Sequence, residues 1–141
     1  NIENVVVASM AKALGVDAGI VLASNNIINQ LKRTNEFLGA SPTSAAGLYA
    51  FMKAEEIYET QRQKLQHNIN LFTSKMHSHV QYAPRFPAFL INDDEIVNRL
   101  LKHRILISSF PYPNVDSKPV NRIVLSSWHS ENEVEKLVSS M

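Results

Sequence analysis

The longest uninterrupted pattern in this 141-residue chain is a helical one that covers residues 43–76. Ser41 and Pro42 precede it as a helix start, because proline is tolerated in the first helical turn. No further proline occurs before Pro84, and apolar side chains recur at helical spacing at Leu48, Phe51, Met52, Ile57, Leu65, Ile69 and Phe72. The pattern predicts one long helix, and a helix of this kind commonly bridges two domains.

Two short apolar runs precede this helix, at residues 5–8 and 19–23. Both runs are continuous rather than alternating, which is typical of strands that are covered on both faces. A loop of small residues separates them. A polar helix is predicted to follow at residues 26–34, with Asn25 or Asn26 as its cap.

After Pro84 and Pro87 the pattern changes to a compact α+β unit. The predicted elements are a strand at Ala88–Ile91, a helix capped by Asp93 and Asp94 that runs to Lys102, a strand at residues 105–108, a proline-rich loop at residues 111–119, a strand at residues 120–127, and a helix from the Ser130 capping box to Val138. This order predicts a small sheet with both helices on one face, within an α/β chain.

Composition and charge argue against several classes of function. The net charge is +1 and the basic residues are scattered, which favours neither a nucleic-acid partner nor an anionic membrane. No apolar run approaches the length of a membrane-spanning helix, about 20 residues. The chain has no cysteine, which fits a cytoplasmic enzyme. No metal site is predicted, because the spacing of His67, His77, His79 and His103 does not suit metal ligands.

Lys12 is the one lysine whose neighbours are all small or apolar, and the nearest other basic residue in the sequence is Lys32. At the end of a buried strand, its amine would be partly desolvated. Burial favours the neutral, nucleophilic form of an amine. Lys12 is therefore a candidate nucleophile toward a carbonyl group, and the alternative is a lysine on an ordinary loop.

Residues 9–15 (Ser-Met-Ala-Lys-Ala-Leu-Gly) resemble the Ser/Thr-x-x-Lys-Ala-Phe/Leu-Gly segment of fold-type I pyridoxal-phosphate (PLP) enzymes, in particular the α-oxoamine synthase family. That family includes 8-amino-7-oxononanoate synthase, also called 7-keto-8-aminopelargonate synthase, and 2-amino-3-ketobutyrate CoA ligase. Residues 19–24, 37–46 and 121–130 resemble later segments of the family in the same order and at similar spacing. The resemblance extends over nearly the whole chain.

The resemblance implies a role for four residues of this chain. Lys12 would be the catalytic lysine that forms the Schiff base with PLP, and Ser9 would contact the cofactor phosphate. Arg122 would bind the carboxylate of the amino-acid substrate, the alternative being an arginine at the exposed edge of a strand. This chain has Gly-Ala where the family has a Ser-Thr pair that contacts the phosphate across the dimer interface, so either a neighbouring hydroxyl, that of Ser41, replaces the pair or the contact is missing.

Two further residues stand near Ser41 and could take its place, Thr43 and Ser44. His129 belongs to the last matching segment, where a capping or packing role before the final helix is expected.

The resemblance also implies the domain organisation. Residues 1–60 would be the end of the large PLP-binding domain with the start of the long helix, and residues 61–141 the small C-terminal α+β domain.

The resemblance implies a PLP-dependent acyltransferase, which condenses a small amino acid with an acyl-CoA, as in biotin biosynthesis. It also implies a homodimer in the cytoplasm. Residues 110–119 depart from the family's Pro-Pro-(Thr/Ser)-Val-Pro-x-Gly pattern, so the acyl group is not predicted. The alternatives are an aminotransferase of the same fold and a non-catalytic α+β dimerisation domain. The second alternative accounts for residues 43–141 but gives residues 9–15 no purpose.

A strand-like run begins almost at the first residue, so we expect the natural protein to have residues upstream and this chain to be a fragment. In the family, the histidine that stacks on the cofactor ring and the aspartate that pairs with its nitrogen come from upstream. The chain alone is therefore expected to be inactive.

Overall fold

The computed structural model describes residues 3–76 and 80–141. They form two compact units, an N-terminal unit, Asn1–Tyr58, and a C-terminal unit, Glu59–Met141. Within the described residues there are six helices and six strands, the latter in two antiparallel sheets, so the chain has the mixed α/β character expected from the sequence. That these units are the domains of a larger enzyme, divided near residue 60, stays a prediction.

The N-terminal unit begins with an antiparallel hairpin of strands β1 (Val6–Ser9) and β2 (Gly19–Leu22). The two predicted strands are present, but the expectation that both of their faces are covered is wrong for this chain. All four residues of β1 are exposed, and so are three of the four in β2. The strands are exposed because this sheet consists of β1 and β2 alone. The apolar residues that are buried in the described part of this unit, Met10 and Val16, lie in the loop that connects the two strands.

The helix predicted at residues 26–34 is present as α1 (Asn25–Leu31), which ends three residues earlier, and a second helix that was not predicted follows, α2 (Asn35–Gly39). Ser24, rather than Asn25 or Asn26, caps α1, because its hydroxyl accepts a hydrogen bond from the backbone N–H of Ile27 at 3.5 Å. The chain restarts at Thr34, whose hydroxyl accepts from the N–H of Phe37 at 3.3 Å and caps α2. A capping side chain therefore starts each of the two helices.

The predicted long helix is also divided, into α3 (Ala45–Lys53) and α4 (Glu55–Lys75). Ala54 leaves the helical conformation with φ −97° and ψ 12°, and its N–H bonds to the carbonyl of Phe51 at 3.2 Å. Its own carbonyl accepts from Tyr58 N–H at 2.9 Å and so begins α4. Two glutamates in the first turn of α4 favour a helix start there, because carboxylates stabilise the positive end of the helix dipole. None of the helices in the described ranges is long and apolar enough to cross a membrane.

The C-terminal unit contains a four-stranded antiparallel sheet with two more helices. Its elements are β3 (Val80–Tyr82), β4 (Ala88–Ile91), α5 (Asp94–Lys102), β5 (Ser108–Pro111), β6 (Pro119–Val124) and α6 (Glu131–Ser139). The strand order is β3-β4-β6-β5. Strand β4, the helix α5 with its Asp93 cap and the Ser130 capping box are confirmed.

Three of the sequence expectations for this sheet need correction. Strand β3 was not predicted. Strand β5 begins at Ser108, three residues after the start that was expected at residue 105. Strand β6 ends at Val124 instead of residue 127, because the chain turns there: Ser126 O accepts the N–H of His129 at 3.3 Å.

One face of the sheet carries the core of the C-terminal unit. Phe89 and Ile123 lie opposite each other on β4 and β6, and the Phe89 ring meets Phe72 of α4 edge-on at 4.6 Å. The same cluster contains residues from three helices: Ile69 and Phe72 of α4, Ile96 and Leu100 of α5, and Val134 and Leu137 of α6. Both predicted helices therefore pack on one face, as expected. Because strand side chains alternate, Arg122 stands on the opposite face from Ile123.

Candidate active site

Lys12 lies on the loop that joins β1 to β2, and the loop is closed by its own backbone. Met10 N–H donates to Ala18 O at 2.8 Å, and Val16 N–H donates to Met10 O at 3.1 Å. Met10 and Val16 are the buried residues on either side of Lys12, with 4% and 6% of their surface exposed. Two buried side chains and two hydrogen bonds therefore fix the base of the loop.

A second anchor holds the far side of the loop. The Tyr58 hydroxyl donates a hydrogen bond to the carbonyl of Leu14 at 2.7 Å. The next residue, Gly15, has φ +64°, a left-handed conformation that glycine adopts without strain. Lys12 thus lies between the buried Met10 and a turn that is tied to Tyr58.

The side chain of Lys12 is exposed, which contradicts the predicted desolvation. The cause is the exposure of β1 itself, which places the loop at a surface. In residues 3–76 and 80–141 the Lys12 amine has neither an ion pair nor a hydrogen bond. The amine is held on a fixed loop and is open to a ligand.

The structure places the predicted phosphate-binding hydroxyls on two segments of the N-terminal unit. Ser9 ends β1 opposite Gly19 and so shares the hairpin with Lys12. Ser41 lies between α2 and α3 and is exposed. Ser44 is engaged as the N-cap of α3, where its hydroxyl accepts from Gly47 N–H at 3.0 Å. No hydrogen bond among the described residues joins Ser41 to Ser9 or Lys12.

The chemistry of this donor set fits a cofactor that carries both an aldehyde and a phosphate, as PLP does. An amine condenses with an aldehyde, and hydroxyls donate to phosphate oxygens. Within the part of the chain that the structure describes, the hydroxyls of Ser9 and Ser41 have no hydrogen-bond partner. Both, like the Lys12 amine, are therefore available to a ligand.

Arg122 occupies an inner strand of the C-terminal sheet. It lies opposite Leu90 on β4 and opposite Ser108 on β5. The alternative of an arginine at the exposed edge of a strand is therefore wrong, because β6 has a neighbour on each side. The guanidinium carbon is 5.1 Å from the centre of the Phe110 ring, a cation–π contact.

Arg122 also has an unused donor. Its Nε is buried and has no hydrogen-bond partner among the described residues. A buried polar group without a partner costs free energy, so an acceptor that reached it would be held firmly. A guanidinium that is oriented by an aromatic ring and keeps a free N–H is suited to a carboxylate. Arg122 belongs to the C-terminal unit, whereas Ser9, Lys12 and Ser41 belong to the N-terminal unit.

Asn68 is a structural residue that the sequence analysis missed. It is buried on α4, and its side-chain amide donates to Ser126 O at 3.0 Å and to His129 O at 2.8 Å. It thereby fixes the turn that follows β6. A signal was present, since Asn68 lies on the apolar stripe of the helix between Leu65 and Phe72, where a polar residue needs a partner.

Asn121, the neighbour of Arg122, was missed as well. Its side chain is buried, and its Nδ2 donates to Asp94 Oδ1 at 2.7 Å. Asp94 is the first residue of α5, so the contact ties the strand that carries Arg122 to the start of a helix. A polar residue at an inward position of a strand was the available signal.

His129 closes the turn before α6, the kind of role that was expected of it. Its Nδ1 accepts the backbone N–H of Ser126 at 3.1 Å. The capping box follows, in which Ser130 Oγ accepts Glu133 N–H at 3.3 Å and Glu133 Oε2 accepts Ser130 N–H at 2.8 Å. The Ser130 backbone N–H, and after it the Ser130 hydroxyl, lower the pKa of the Glu133 carboxyl below its ordinary value.

In the described ranges, no three histidine, aspartate or glutamate side chains gather as a metal site would require. His77 and His79, two of the histidines weighed in the sequence, lie outside the described residues.

Comparison with known proteins gives one family and several relatives. The model of the family "Aminotransferase class I and II" matches residues 1–141. An 8-amino-7-oxononanoate synthase of Buchnera aphidicola (subspecies Baizongia pistaciae) is 29% identical over 155 aligned positions, which cover 98% of this chain and 39% of that protein. The predicted resemblance to the α-oxoamine synthases is therefore confirmed.

Two solved structures share the fold. The crystal structure of the 8-amino-7-oxononanoate synthase of Francisella tularensis matches with a TM-score of 0.63 at 17% identity, covering 96% of this chain and 44% of that one. The serine palmitoyltransferase of Sphingomonas wittichii matches with a TM-score of 0.61 at 14% identity, covering 97% of this chain and 38% of that one. The chain thus spans about two fifths of the length of these relatives. It belongs to the aminotransferase class I and II family.

Proposed function

We propose that this chain is part of a PLP-dependent acyltransferase that joins a small amino acid to an acyl-CoA. The observation that carries the proposal is the position of Lys12. Its amine is exposed on a loop that Met10, Val16 and Tyr58 fix in place. The relatives named 8-amino-7-oxononanoate synthase and serine palmitoyltransferase support this class of reaction over others in the same family.

Lys12 would hold the cofactor through its amine and then act as a base. The anchored loop limits where the amine can go, which reduces the entropy lost when it reaches a reacting atom. When bound, PLP supplies an electron sink that makes the Cα proton of an amino acid acidic. Once the amine of the substrate has taken the place of the Lys12 amine on the cofactor, Lys12 would be free to accept the proton from Cα.

Ser9 would donate its hydroxyl hydrogen to a phosphate oxygen of the cofactor. It ends β1 three residues before Lys12, so the hairpin offers one group for the aldehyde and another for the phosphate. Ser41 would supply a further hydroxyl, since Ser44 already caps α3. In the proposed homodimer, Ser41 would serve the site of the partner subunit.

Arg122 would receive the carboxylate of the amino acid. The terminal N–H groups of a guanidinium can donate two parallel hydrogen bonds to one carboxylate. Phe110 holds the guanidinium plane in place at 5.1 Å. This binding would orient the Cα–H bond toward the base and would distinguish amino acids from simple amines.

The proposal also covers what the chain does alone. Because it spans 39% of the curated relative, we place the remaining groups of the site in a longer, cytoplasmic protein. The isolated chain would bind PLP weakly and turn nothing over. Lysine-bound PLP is expected to absorb at about 420 nm. A stable band at that wavelength in the isolated chain at stoichiometric PLP would contradict this.

The test is the release of CoA. The complete protein would be incubated with PLP, an acyl-CoA series and glycine, alanine or serine, and free thiol would be followed with a thiol-reactive dye. Thiol release that requires both substrates supports the acyltransferase. Conversion of a 2-oxo acid to an amino acid without thiol release would instead identify an aminotransferase of the same fold and overturn the proposal.

A further inference from the structure

The C-terminal unit has a cavity of about 330 Å³ between residues 104–108, the second half of β6 and helix α6. The sheet explains its origin. Strand β5 pairs with β6 from Ser108 onward, and residues 105–107 lie outside that ladder. The apolar run that was expected to be a strand therefore stands apart from β6 and forms one wall of the cavity.

One part of the lining of this cavity is apolar. The lining includes Ile105 and Ile107 from the separated segment, Ile123 and Leu125 from the end of β6 and beyond, and Val134 and Leu137 from α6. Its volume lies at the lower end of the range for small-molecule sites, about 300–1,000 Å³. An occupant would be a small molecule with an apolar part.

The charged groups of the lining are mostly cationic. Arg104 and Lys136 stand beside a single carboxylate, that of Glu133. Arg122 also belongs to the lining, but its guanidinium contacts Phe110 on the face of the sheet opposite Ile123. The Glu133 carboxylate is engaged, because Glu133 Oε2 accepts from the N–H and the hydroxyl of Ser130 at 2.8 and 2.9 Å. Throughout the described residues the side chain of Arg104 has no ion pair or hydrogen bond. Lys136 interacts with the charge of Glu133 at longer range, without a direct ion-pair contact.

His129 adds a ring N–H donor to the same lining. Its Nδ1 accepts the Ser126 N–H, so a neutral ring carries its hydrogen on Nε2. Nε2–H can donate to an anion and cannot accept from a cation. This tautomer therefore favours an anionic ligand, as Arg104 and Lys136 do.

We propose that this cavity binds a small organic anion with a short apolar chain, whose carboxylate or phosphate is held by Arg104 and Lys136. The apolar part would lie against Ile105 and Ile107. Neither Arg104 nor Lys136 has a role in the function proposed above, so this site does not depend on that function, although Arg122 belongs to the lining of the cavity as well.

Binding of hexanoate, hexyl phosphate and hexanol to the 141-residue chain tests the proposal. Trp128, the single tryptophan, precedes His129 in the sequence and is 89% exposed, so its fluorescence provides a reporter beside the cavity. We expect at least one of the two anions to bind about tenfold or more tightly than hexanol, as charge-assisted hydrogen bonds allow. The two anions distinguish a carboxylate ligand from a phosphate one. Equal binding of all three, or no binding, would overturn the proposal.

Variants locate the anion. Arg104→Gln and Lys136→Gln should each weaken binding about threefold to tenfold, because each removes one charged donor. Lys102→Gln is the matched control, since it removes an exposed cation two residues from Arg104 that does not line the cavity. Circular dichroism would establish that each variant is folded, and the salt dependence of the unmodified chain gives an independent measure. Equal affinity in all three variants, or binding insensitive to salt, would contradict the assignment.

Discussion

The guanidinium carbon of Arg122 lies 5.1 Å from the centre of the Phe110 ring, on the strand next to it. Phe110 pairs with Val120, so it is the diagonal neighbour of Arg122 in the β5–β6 ladder. The ring orients the guanidinium while the buried Nε keeps a free hydrogen. The contact links the proline-rich segment to the proposed carboxylate-binding residue.

Replacing Arg122 with lysine tests that role. Lysine keeps the charge but loses the planar fork, so we expect the KM for the amino acid to rise about tenfold to a hundredfold in the complete enzyme. The KM for acyl-CoA should stay within about twofold, because the carboxylate is the group affected. The control is Arg62→Lys, an exposed arginine on α4. An unchanged KM for the amino acid in Arg122→Lys would refute the assignment.

Replacing Asn68 with alanine tests the link between α4 and the turn after β6. The change removes the donor for the carbonyls of Ser126 and His129. We expect the free energy of unfolding, measured by urea denaturation, to fall by about 1–3 kcal/mol. Asn70→Ala, at an exposed position of the same helix, should change it by less than about 0.5 kcal/mol. Similar effects of the two substitutions would show that the buried contacts do not stabilise the unit.

Replacing Gly15 with alanine tests the conformation of the Lys12 loop. Gly15 and Gly39 both have open space where a β-carbon would stand, but Gly15 alone of the two has a positive φ, +64°. Gly15→Ala should therefore destabilise the chain by about 1–2 kcal/mol. Gly39→Ala, at the end of α2, should be neutral or slightly stabilising. Equal melting temperatures for the two variants would contradict the left-handed turn.

The capping box predicts a pH dependence. The folded pKa of Glu133 is lowered below 4.5, so its charge contributes stability above that pH, and the contribution is lost as pH falls through the folded pKa. Glu133→Gln keeps the shape and removes the charge. The stability advantage of the unmodified chain over this variant should shrink between about pH 6 and about pH 3.

Ser130→Ala separates the two causes of this shift. Alanine retains the backbone N–H, which is the larger cause, and removes the hydroxyl. Most of the pH dependence should therefore remain in Ser130→Ala. A complete loss would show that the hydroxyl is the main donor to Glu133.

Elements with a local chemical signal could be predicted from the sequence. Asp93 starts α5 and Ser130 starts α6, because each side chain bonds to a backbone N–H of its own first turn. The segment around Lys12 could be recognised because its serine, lysine, alanine and glycine residues follow the spacing of the family's motif. Its Gly15 is in the left-handed conformation that the loop requires.

Features that depend on long-range packing could not be predicted. Nothing in the sequence around Ala54 breaks a helix by propensity, since alanine is the best helix former. The inner position of Arg122 follows from the order β3-β4-β6-β5, which no local pattern specifies. The apolar run at residues 105–107 satisfies strand propensity but lies outside the ladder, because the pairing with β6 begins at Ser108. The exposure of Lys12 likewise depends on which elements cover β1. The apolar pattern of the strand predicted that β1 and the Lys12 amine are buried, because a local pattern does not show what packs against a strand.

Covalent mapping of the cofactor tests the central claim most directly. The complete protein would be incubated with PLP, reduced with borohydride and digested, and the labelled peptides would be identified by mass spectrometry. We expect the label within residues 1–141 to concentrate on Lys12, and to disappear in Lys12→Arg but not in the control Lys32→Arg. Label spread evenly over the eight lysines of this segment, with Lys12→Arg labelled to the same extent, would contradict the account.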